Sequence, residues 1–172
     1  VVRSYFVISY PRFLTDNWLS PVINLDKVFD VSIHVVPLNT GEVMKTFQRK
    51  VAEVESQIMT REEKGLVRDP TLDVAYQDLE DLRDGLTQAQ EKMFEVSLYI
   101  TLYGNTNEEI DKVENEIKNI LESKLVYAKP ALFQQDTGFI STLPVGQDLL
   151  QIKNKLNTSP LSSFFPFVSF DL

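Results

Sequence analysis

The chain has no cysteine, one histidine, one tryptophan and six glycines among its 172 residues. The lack of cysteine excludes disulfide scaffolds and thiolate metal sites and fits a cytosolic setting. No apolar run approaches the ~20 residues that a membrane span needs. The N-terminal residues predict a strand rather than a signal peptide. Because the chain begins on that strand at Val1, without methionine, we expect it to be a piece of a longer protein.

Signatures of catalysis are equally scarce. None of the glycines opens a Gly-Lys-Ser/Thr phosphate-binding loop. His34, the single histidine, has no triad or metal-ligand pattern around it, and we interpret it as structural or solvent-facing. Five acidic residues between positions 73 and 84 would spread over several faces of a helix, which favours a solvated surface over a cation site. We therefore predict no catalytic, metal-binding or cofactor-binding residue.

The charge balance limits the kinds of partner. With 25 acidic and 17 basic side chains the formal net charge is −8, and such a surface repels nucleic-acid phosphates. Tyr5, Tyr10, Tyr99 and Tyr103 fall on or beside predicted strands, as in sheets that stack RNA bases, but the accompanying basic signature is missing. We expect these tyrosines to pack internally and the chain not to bind nucleic acid directly.

The most regular pattern lies between Asn39 and Met93. Apolar residues recur at spacings of three and four in two segments, which predicts two helices with one apolar seam each. Asn39 with Glu42 predicts a capping box, Asp69-Pro70 predicts a second helix start, and Gly65 predicts a helix end. We interpret residues 39–93 as a long antiparallel helical hairpin, whose second helix carries its heptads through Ala89 to Met93.

The remaining elements predict an α+β fold. Strands are predicted at 2–10, 29–35, 94–103, 126–133 and 138–143, where the last two are separate or one kinked strand, and helices at 13–25 and 106–121. Without the hairpin this order is βαββαβ, the ferredoxin-like antiparallel sheet with two helices on one face. The hairpin is then inserted between strands 2 and 3. We predict that residues 1–146 form this domain.

Residues 147–172 are predicted to be a linker or extension. A short helix is expected at 151–155, followed by turn and loop residues from 157 to 163. The closing stretch holds four phenylalanines in seven residues, and we expect so apolar a tail to dock on another surface.

Several local sequences, in order along essentially the whole chain, resemble the N-terminal domain of the conjugative-transfer ATPases of type IV secretion systems. This is the CagE/TrbE/VirB component family, and members from Gram-positive conjugative elements are the most similar. The sequences that carry the resemblance are Tyr10-Pro11, Trp18-Leu19, Phe29-Asp30-Val31-Ser32-Ile33-His34, Asp78-Leu79-Glu80-Asp81-Leu82-Arg83, Gln90-Glu91-Lys92-Met93-Phe94, Phe133-Gln134-Gln135, Leu143-Pro144-Val145-Gly146 and Phe164-Phe165-Pro166-Phe167.

The resemblance implies a non-catalytic adaptor. In that family ATP and Mg²⁺ bind a RecA-like motor domain that would follow this segment, so no cofactor is expected here. The domain would link the motor to membrane-embedded channel proteins and to other copies of the ATPase. It would work in the cytoplasm, peripheral to the cell membrane.

The contact residues we predict lie at the hairpin tip and in the aromatic tail. They are Arg61, Glu63, Lys64, Leu66 and Arg68, together with Phe164, Phe165 and Phe167. Two alternatives remain open. One is a small ferredoxin-like enzyme of the acyl-phosphate hydrolase type, with Arg3 and Arg12 as the local anion-binding candidates. The other is a coiled-coil dimerisation module in which the apolar seam pairs between chains.

Overall fold

The computed structural model of the chain describes residues 1–165. Its elements in chain order are β1 (Val2–Ser9), α1 (Ser20–Ile23), β2 (Phe29–Pro37), α2 (Thr40–Glu63), α3 (Pro70–Thr87), β3 (Met93–Tyr103), α4 (Asn107–Ser123), β4 (Tyr127–Pro130), α5 (Gln135–Thr142), β5 (Asn154–Asn157) and α6 (Thr158–Ser162). Two compact units result. Unit 1 comprises Val1–Val36 and the chain from Phe94 onward, and unit 2 comprises Pro37–Met93.

The fold class is α+β, with a five-stranded antiparallel sheet. The strand order is β2-β3-β1-β4, and β5 also pairs with β3. In the central pair Val2 lies opposite Tyr103 and Phe6 opposite Tyr99, while Tyr5 lies opposite Pro130 of β4. The strands predicted at 2–10, 29–35 and 94–103 are therefore present, whereas the strand predicted at 126–133 is shorter and ends at Pro130. Strands β1 and β3 are the central pair.

One face of the sheet holds the main core of unit 1. Helix α4 begins at Thr106, whose Oγ1 accepts from the Glu109 amide at 3.2 Å, while the Glu109 carboxylate accepts from the Asn105 amide at 2.8 Å. This reciprocal arrangement is close to the predicted capping box. The predicted inner face of the helix is buried against β1 and β3, in a cluster that includes Ile110, Val113, Ile117, Leu121, Val96, Leu98, Ile100 and Leu102.

The first predicted helix, 13–25, is reduced to the single turn of α1. Pro21 stands in its first turn, where a proline needs no amide partner, so the proline starts the helix instead of breaking it. Trp18, Leu19 and Val22, which the apolar spacing places on one side of the predicted helix, are nevertheless buried. The apolar spacing identified the buried side chains correctly but overstated the length of the helix.

The other face of the sheet is also covered. Ser97, Tyr99 and Thr101 alternate with the core residues of β3, yet each is at most 2% exposed. Strand β3 is thus buried on both faces, whereas its alternating pattern is typical of a strand with one solvated face. The polar residues of this second face need hydrogen-bond partners from the segment that covers them.

The covering segment includes α5, and this corrects the strand predicted at 138–143. Gly138 allows the close approach, because a Cβ at that position would lie 2.7 Å from the Cβ of Ser4. Gln135, in the first turn of α5, accepts from the Ser4 amide and donates to the Ala131 carbonyl. These tertiary contacts favour a helix despite β-branched residues and an internal glycine.

Between Gly146 and Phe165, the last described residue, the chain packs within unit 1. Strand β5 takes the place of the short helix predicted at 151–155, and α6 stands where turn and loop residues were predicted at 157–163. Leu150 and Phe164 are 9% and 3% exposed. Pairing with β3 outweighs the weak local preference of this stretch.

Unit 2 contains the predicted hairpin of α2 and α3. Asn39 accepts from the Gly41 and Glu42 amides, and Asp69 accepts from the Thr71 amide, so both predicted N-caps are confirmed. Val43 near the start of α2 packs with Leu86 near the end of α3. The two helices are therefore antiparallel, and their apolar seams close on each other.

Three helices end in the same way with different residues. In α2, Gly65 has φ 64°, the Gly65 amide donates to the Glu62 carbonyl and the Leu66 amide donates to the Arg61 carbonyl. This is a Schellman motif. The ends of α3 and α4 repeat it, with Ala89 and Leu125, both at φ 57°, at the left-handed position.

The Schellman motif at Ala89 corrects the predicted length of the second hairpin helix. Its last turn closes through bonds from the Ala89 amide to the Leu86 carbonyl and from the Gln90 amide to the Gly85 carbonyl. Met93 therefore lies outside the helix, as the first residue of β3. It still packs with Val43 and Leu86. The apolar spacing therefore predicted the burial of Met93 correctly, but not its secondary structure.

Replacing Ala89 by glycine should raise the free energy of unfolding by about 0.5–1 kcal/mol. The left-handed conformation costs alanine about 1–2 kcal/mol, more than the extra chain entropy of glycine. Ala52→Gly, at an exposed position inside α2, is the matched control. It should lower the free energy of unfolding by about 0.5–1 kcal/mol. Urea unfolding followed by far-UV circular dichroism measures both, and changes of the same sign would contradict the assignment.

Candidate functional site

The hairpin tip, residues 58–73, contains five of the predicted contact residues. Glu63 and Lys64 are exposed, and Leu66 is 52% exposed. The Arg61 Nη2 donates to the Val67 carbonyl at 3.3 Å, and the Arg68 Nε lies 2.6 Å from the Asp73 carboxylate. The structure therefore brings the predicted tip residues together at one end of unit 2.

A small cavity, which we name the tip cavity, lies between the two helices at this end. Its volume is about 40 Å³, and its lining comprises Ile58, Arg61, Glu62, Leu66, Arg68, Asp69, Leu72 and Asp73. The Arg61 Nε is buried and has no hydrogen-bond partner among residues 1–165. A buried unpaired donor on a charged group is uncommon in folded proteins.

An open cleft of about 390 Å³, the tip cleft, lies beside the cavity. Ser56, Gln57 and Thr60 of α2 contribute polar side chains to the cleft, whose lining shares Arg61, Asp69 and Leu72 with the cavity. The charges here are largely paired within the hairpin. The ion pair with Asp73 raises the pKa of Arg68, and the Thr71 amide lowers the pKa of Asp69.

The predicted tail residues divide into three situations. Phe164 is buried, and its ring centroid lies 5.2 Å from that of Tyr10 and 5.1 Å from that of Trp18. It docks on the core of its own unit and is not available at the surface. Phe165 is 68% exposed, and Phe167 lies outside the described residues.

An exposed apolar pair on unit 1 lies outside the predicted contact residues. Leu132 and Phe133 follow β4 with exposed fractions of 68% and 103%. Phe133 also has φ 60°, a conformation that a bulky residue rarely adopts. This exposure has no sequence signal, because an apolar pair in a β-rich segment predicts burial.

A second set of polar residues, the polar layer, lies on the second face of the sheet in unit 1. Of its members, only His34 and Tyr99 were singled out from the sequence, because short hydroxyl side chains on a strand normally face water. Its members are Ser4, His34, Ser97, Tyr99, Thr101, Ser141, Thr142 and Asp148.

One half of the layer is a chain of hydroxyl groups. The Ser4 Oγ lies 2.8 Å from the Thr101 Oγ1, which lies 2.6 Å from the Thr142 Oγ1. Thr142 in turn donates to the Gly138 carbonyl. The three hydroxyls satisfy one another across β1, β3 and α5, as buried polar groups must.

The other half of the layer centres on Asp148. Its carboxylate accepts from the Tyr99 hydroxyl at 2.5 Å, from the Ser97 hydroxyl at 2.9 Å and from the Gln151 amide at 2.9 Å. Burial favours the neutral acid, but these hydrogen bonds outweigh it and lower the pKa of Asp148. Burial, followed by the bond to Asp148, raises the pKa of Tyr99 to about 12.

His34 contributes one ring nitrogen to this layer. Its Nε2 is 2.7 Å from the Ser141 carbonyl and its ring is 5.6 Å from the Tyr99 ring. The Ser141 hydroxyl donates to the Thr137 carbonyl and accepts from the Leu149 and Leu150 amides. These bonds tie α5 to the segment that follows it.

The acidic residues of α3 form ion pairs and hydrogen bonds within the hairpin. Glu80 and Asp84 contact Arg83 at 2.6 and 3.3 Å, and Asp81 accepts from Gln77 at 3.0 Å. Within residues 1–165 there is no group of three or more side chains able to hold a metal ion. In the same described part, no helix is both long and apolar enough to cross a membrane.

Neither a model of a known protein family nor a curated protein matches this chain.

Two Tyr→Phe substitutions, one inside the polar layer and one outside it, should have different effects on the free energy of unfolding. Tyr99→Phe removes a donor to Asp148 and the acceptor of the Ile152 amide, and should cost about 2 kcal/mol. The Tyr10 hydroxyl is buried without a partner among the described residues. Tyr10→Phe should therefore be neutral or stabilise by about 1 kcal/mol. Thermal and urea unfolding compare the two, and equal losses would contradict the network.

Asp148 should also make the free energy of unfolding depend on pH in the acidic range. Its pKa is lowered on folding, so its contribution is complete above the unfolded value of about 3.9 and is lost as the pH falls through the folded pKa. We expect Asp148→Asn to cost about 2 kcal/mol at pH 7, with the difference from wild type shrinking below about pH 4. Urea titrations across this range measure it, and a difference that stays constant in acid would refute the assignment.

Proposed function

We propose that the chain is a non-catalytic adaptor domain that presents its helical hairpin to a protein partner. The observation that carries this proposal is the apolar exposure at the hairpin tip, where Leu66 and Val67 are 52% and 84% exposed. Adjacent exposed aliphatic residues in an otherwise polar connection are typical of a contact surface. The hairpin also has its own core, to which neither the Leu66 nor the Val67 side chain belongs.

The closure of the seam supports a self-contained hairpin over a dimerisation module. Val43, Leu86 and Met93 are buried together, with Phe47 and Leu82 packed against them. A seam that already packs within one chain has little apolar area left for the same seam of a second chain. This observation disfavours the coiled-coil dimer as the function of unit 2.

The sheet supports the ferredoxin-like part of the proposal. In the order β2-β3-β1-β4 the strands β1 and β3 are central, and α1 and α4 both contribute to the core on one face. Two interleaved βαβ units produce such an arrangement. In this proposal the hairpin of residues 39–93 is an insertion between β2 and β3.

The local resemblance to conjugative-transfer ATPases gives the proposal its biological setting. The domain would join a RecA-like motor to membrane-embedded channel proteins and to neighbouring copies during DNA transfer, at the cytoplasmic face of the membrane. ATP and Mg²⁺ would bind the motor domain and not this segment. The net charge of −8 supports contacts with proteins over direct contacts with DNA.

The alternative of a small ferredoxin-like enzyme of the acyl-phosphate hydrolase type receives little support. Arg3, the candidate on β1, has its Nη1 at 2.6 Å from both Asp111 and Glu114. The guanidinium of Arg12 lies 5.1 Å from the Phe13 ring centroid. An arginine held by two carboxylates is already neutralised and is a poor anion cradle.

The adaptor proposal predicts that the tip matters for transfer and not for stability. We expect Val67→Ser in the full-length transfer ATPase to lower DNA-transfer frequency roughly thirtyfold, the factor for a contact of about 2 kcal/mol. Val74→Ser, at a 44% exposed position on α3, is the matched control and should leave transfer unchanged. ATP turnover and the unfolding midpoint should be unaffected in both. Normal transfer by the Val67 variant would overturn the proposal.

A further inference from the structure

We propose that β2 is the surface through which two copies of this chain pair, edge to edge and antiparallel, about a two-fold axis at Ser32. The partner is thus a second copy of the chain, and the sheets of the two copies join into one. This pairing goes beyond the adaptor proposal, because it concerns a strand of the sheet and not the hairpin tip, and it does not depend on that proposal.

The two ends of the strand order are protected to different degrees. Strand β4, at one end, has four residues and includes Lys129 and Pro130. Strand β2, at the other end, has nine residues, of which none is lysine or arginine and only the last, Pro37, is proline. Short strands, lysines and prolines are the usual means by which proteins prevent edge strands from pairing with other chains. Before Pro37, β2 has none of them and is a template for another strand.

Main-chain hydrogen bonds define which groups of β2 face away from the sheet. The Tyr103 amide donates to the Val28 carbonyl, and the Leu38 amide donates to the Met93 carbonyl. The same number of residues separates these two bonds on both strands, so the register is continuous, and every second residue from Val28 onward bonds to β3. The residues between them direct their amide and carbonyl groups outward. These residues are Phe29, Val31, Ile33 and Val35.

A register centred on Ser32 matches the sequence of β2 to itself. It places Phe29 opposite Val35 of the second copy, and Val31 opposite Ile33. All four residues face outward with their main chain, so each pair can exchange both hydrogen bonds. Three of these side chains pack against the main core but remain partly exposed, and Val35 is 44% exposed. Pairing in this register would therefore satisfy the outward main-chain groups and cover apolar area at the same time.

Charge complementarity favours the same register. Asp30 lies opposite His34 of the second copy in a pair without main-chain hydrogen bonds, the kind of pair in which side chains are closest. A carboxylate opposite an imidazole is a favourable cross-strand pair, whereas a register centred on Asp30 would oppose two carboxylates. Asp30 is exposed and accepts from the Tyr103 hydroxyl through Oδ2 alone. Its other oxygen can therefore accept from the second copy.

The test of the register is a disulfide, which the cysteine-free chain makes unambiguous. At the two-fold axis the two copies of Ser32 would have Cα atoms about 4.5 Å apart, within the range that a disulfide spans. Ser32→Cys in the 172-residue chain should therefore form a covalent dimer on mild oxidation. Val35→Cys is the matched control, because this exposed position would lie about 20 Å from its own copy and should not link. Non-reducing electrophoresis measures both, and circular dichroism checks that both variants are folded.

Sedimentation equilibrium of the unmodified chain tests the pairing without a cross-link. We expect a reversible dimer with a dissociation constant on the order of 0.1 mM, typical of a small and transient interface. Val35→Lys places a charge opposite Phe29 of the second copy and should weaken the dimer at least about tenfold. Val145→Lys, at a 57% exposed position outside β2, is the control and should pair normally.

Three results would overturn the pairing through β2. They are a monomeric chain up to about 1 mM, ten times the expected dissociation constant, a dimer that Val35→Lys leaves unchanged, and cross-linking of Val35→Cys as readily as of Ser32→Cys. The transfer assay on Val67→Ser is independent, because Val67 lies at the hairpin tip. Normal transfer by that variant rejects the adaptor function alone, whereas a monomeric chain rejects the pairing alone.

Discussion

The burial of β3 on both faces is the constraint on which unit 1 depends. One face carries aliphatic residues that α1 and α4 cover, and the other carries hydroxyl groups that α5 and the following segment cover. A buried hydroxyl is costly unless it is hydrogen-bonded. The covering segment must therefore present matched partners, and the bonds to Asp148 and Thr142 meet this requirement.

The polar layer gives the second face a defined register in place of a tightly interlocked apolar core. Several of its hydrogen bonds join residues distant in sequence, such as Ser4 with Thr101 and Tyr99 with Asp148. A shift of the covering segment by one residue would leave several of these groups unpaired. His34 belongs to the same polar layer, since its Nε2 contacts the Ser141 carbonyl.

The structure of unit 2 depends mainly on local interactions. Its helices are defined by local caps and by seams that close on each other, and the part left incomplete is its tip. There a small cavity, an exposed Val67 and a buried Arg61 donor without a partner lie together. A buried donor without a partner is uncommon in folded proteins.

The sequence by itself determined the features that depend on neighbouring residues. These are the caps at Asn39, Asp69 and Thr106, the glycine end at Gly65, and the strands with strong alternation, because each depends on bonds or spacings within a few residues. It also identified the tip residues as a group, although neither the cavity nor the unpaired Nε of Arg61 has a sequence signal. Only the tertiary structure decided the helix at 135–142, the strand at 154–157 and the burial of Phe164. These stretches have weak local preferences, and contacts with distant residues such as Ser4 and Trp18 outweigh them.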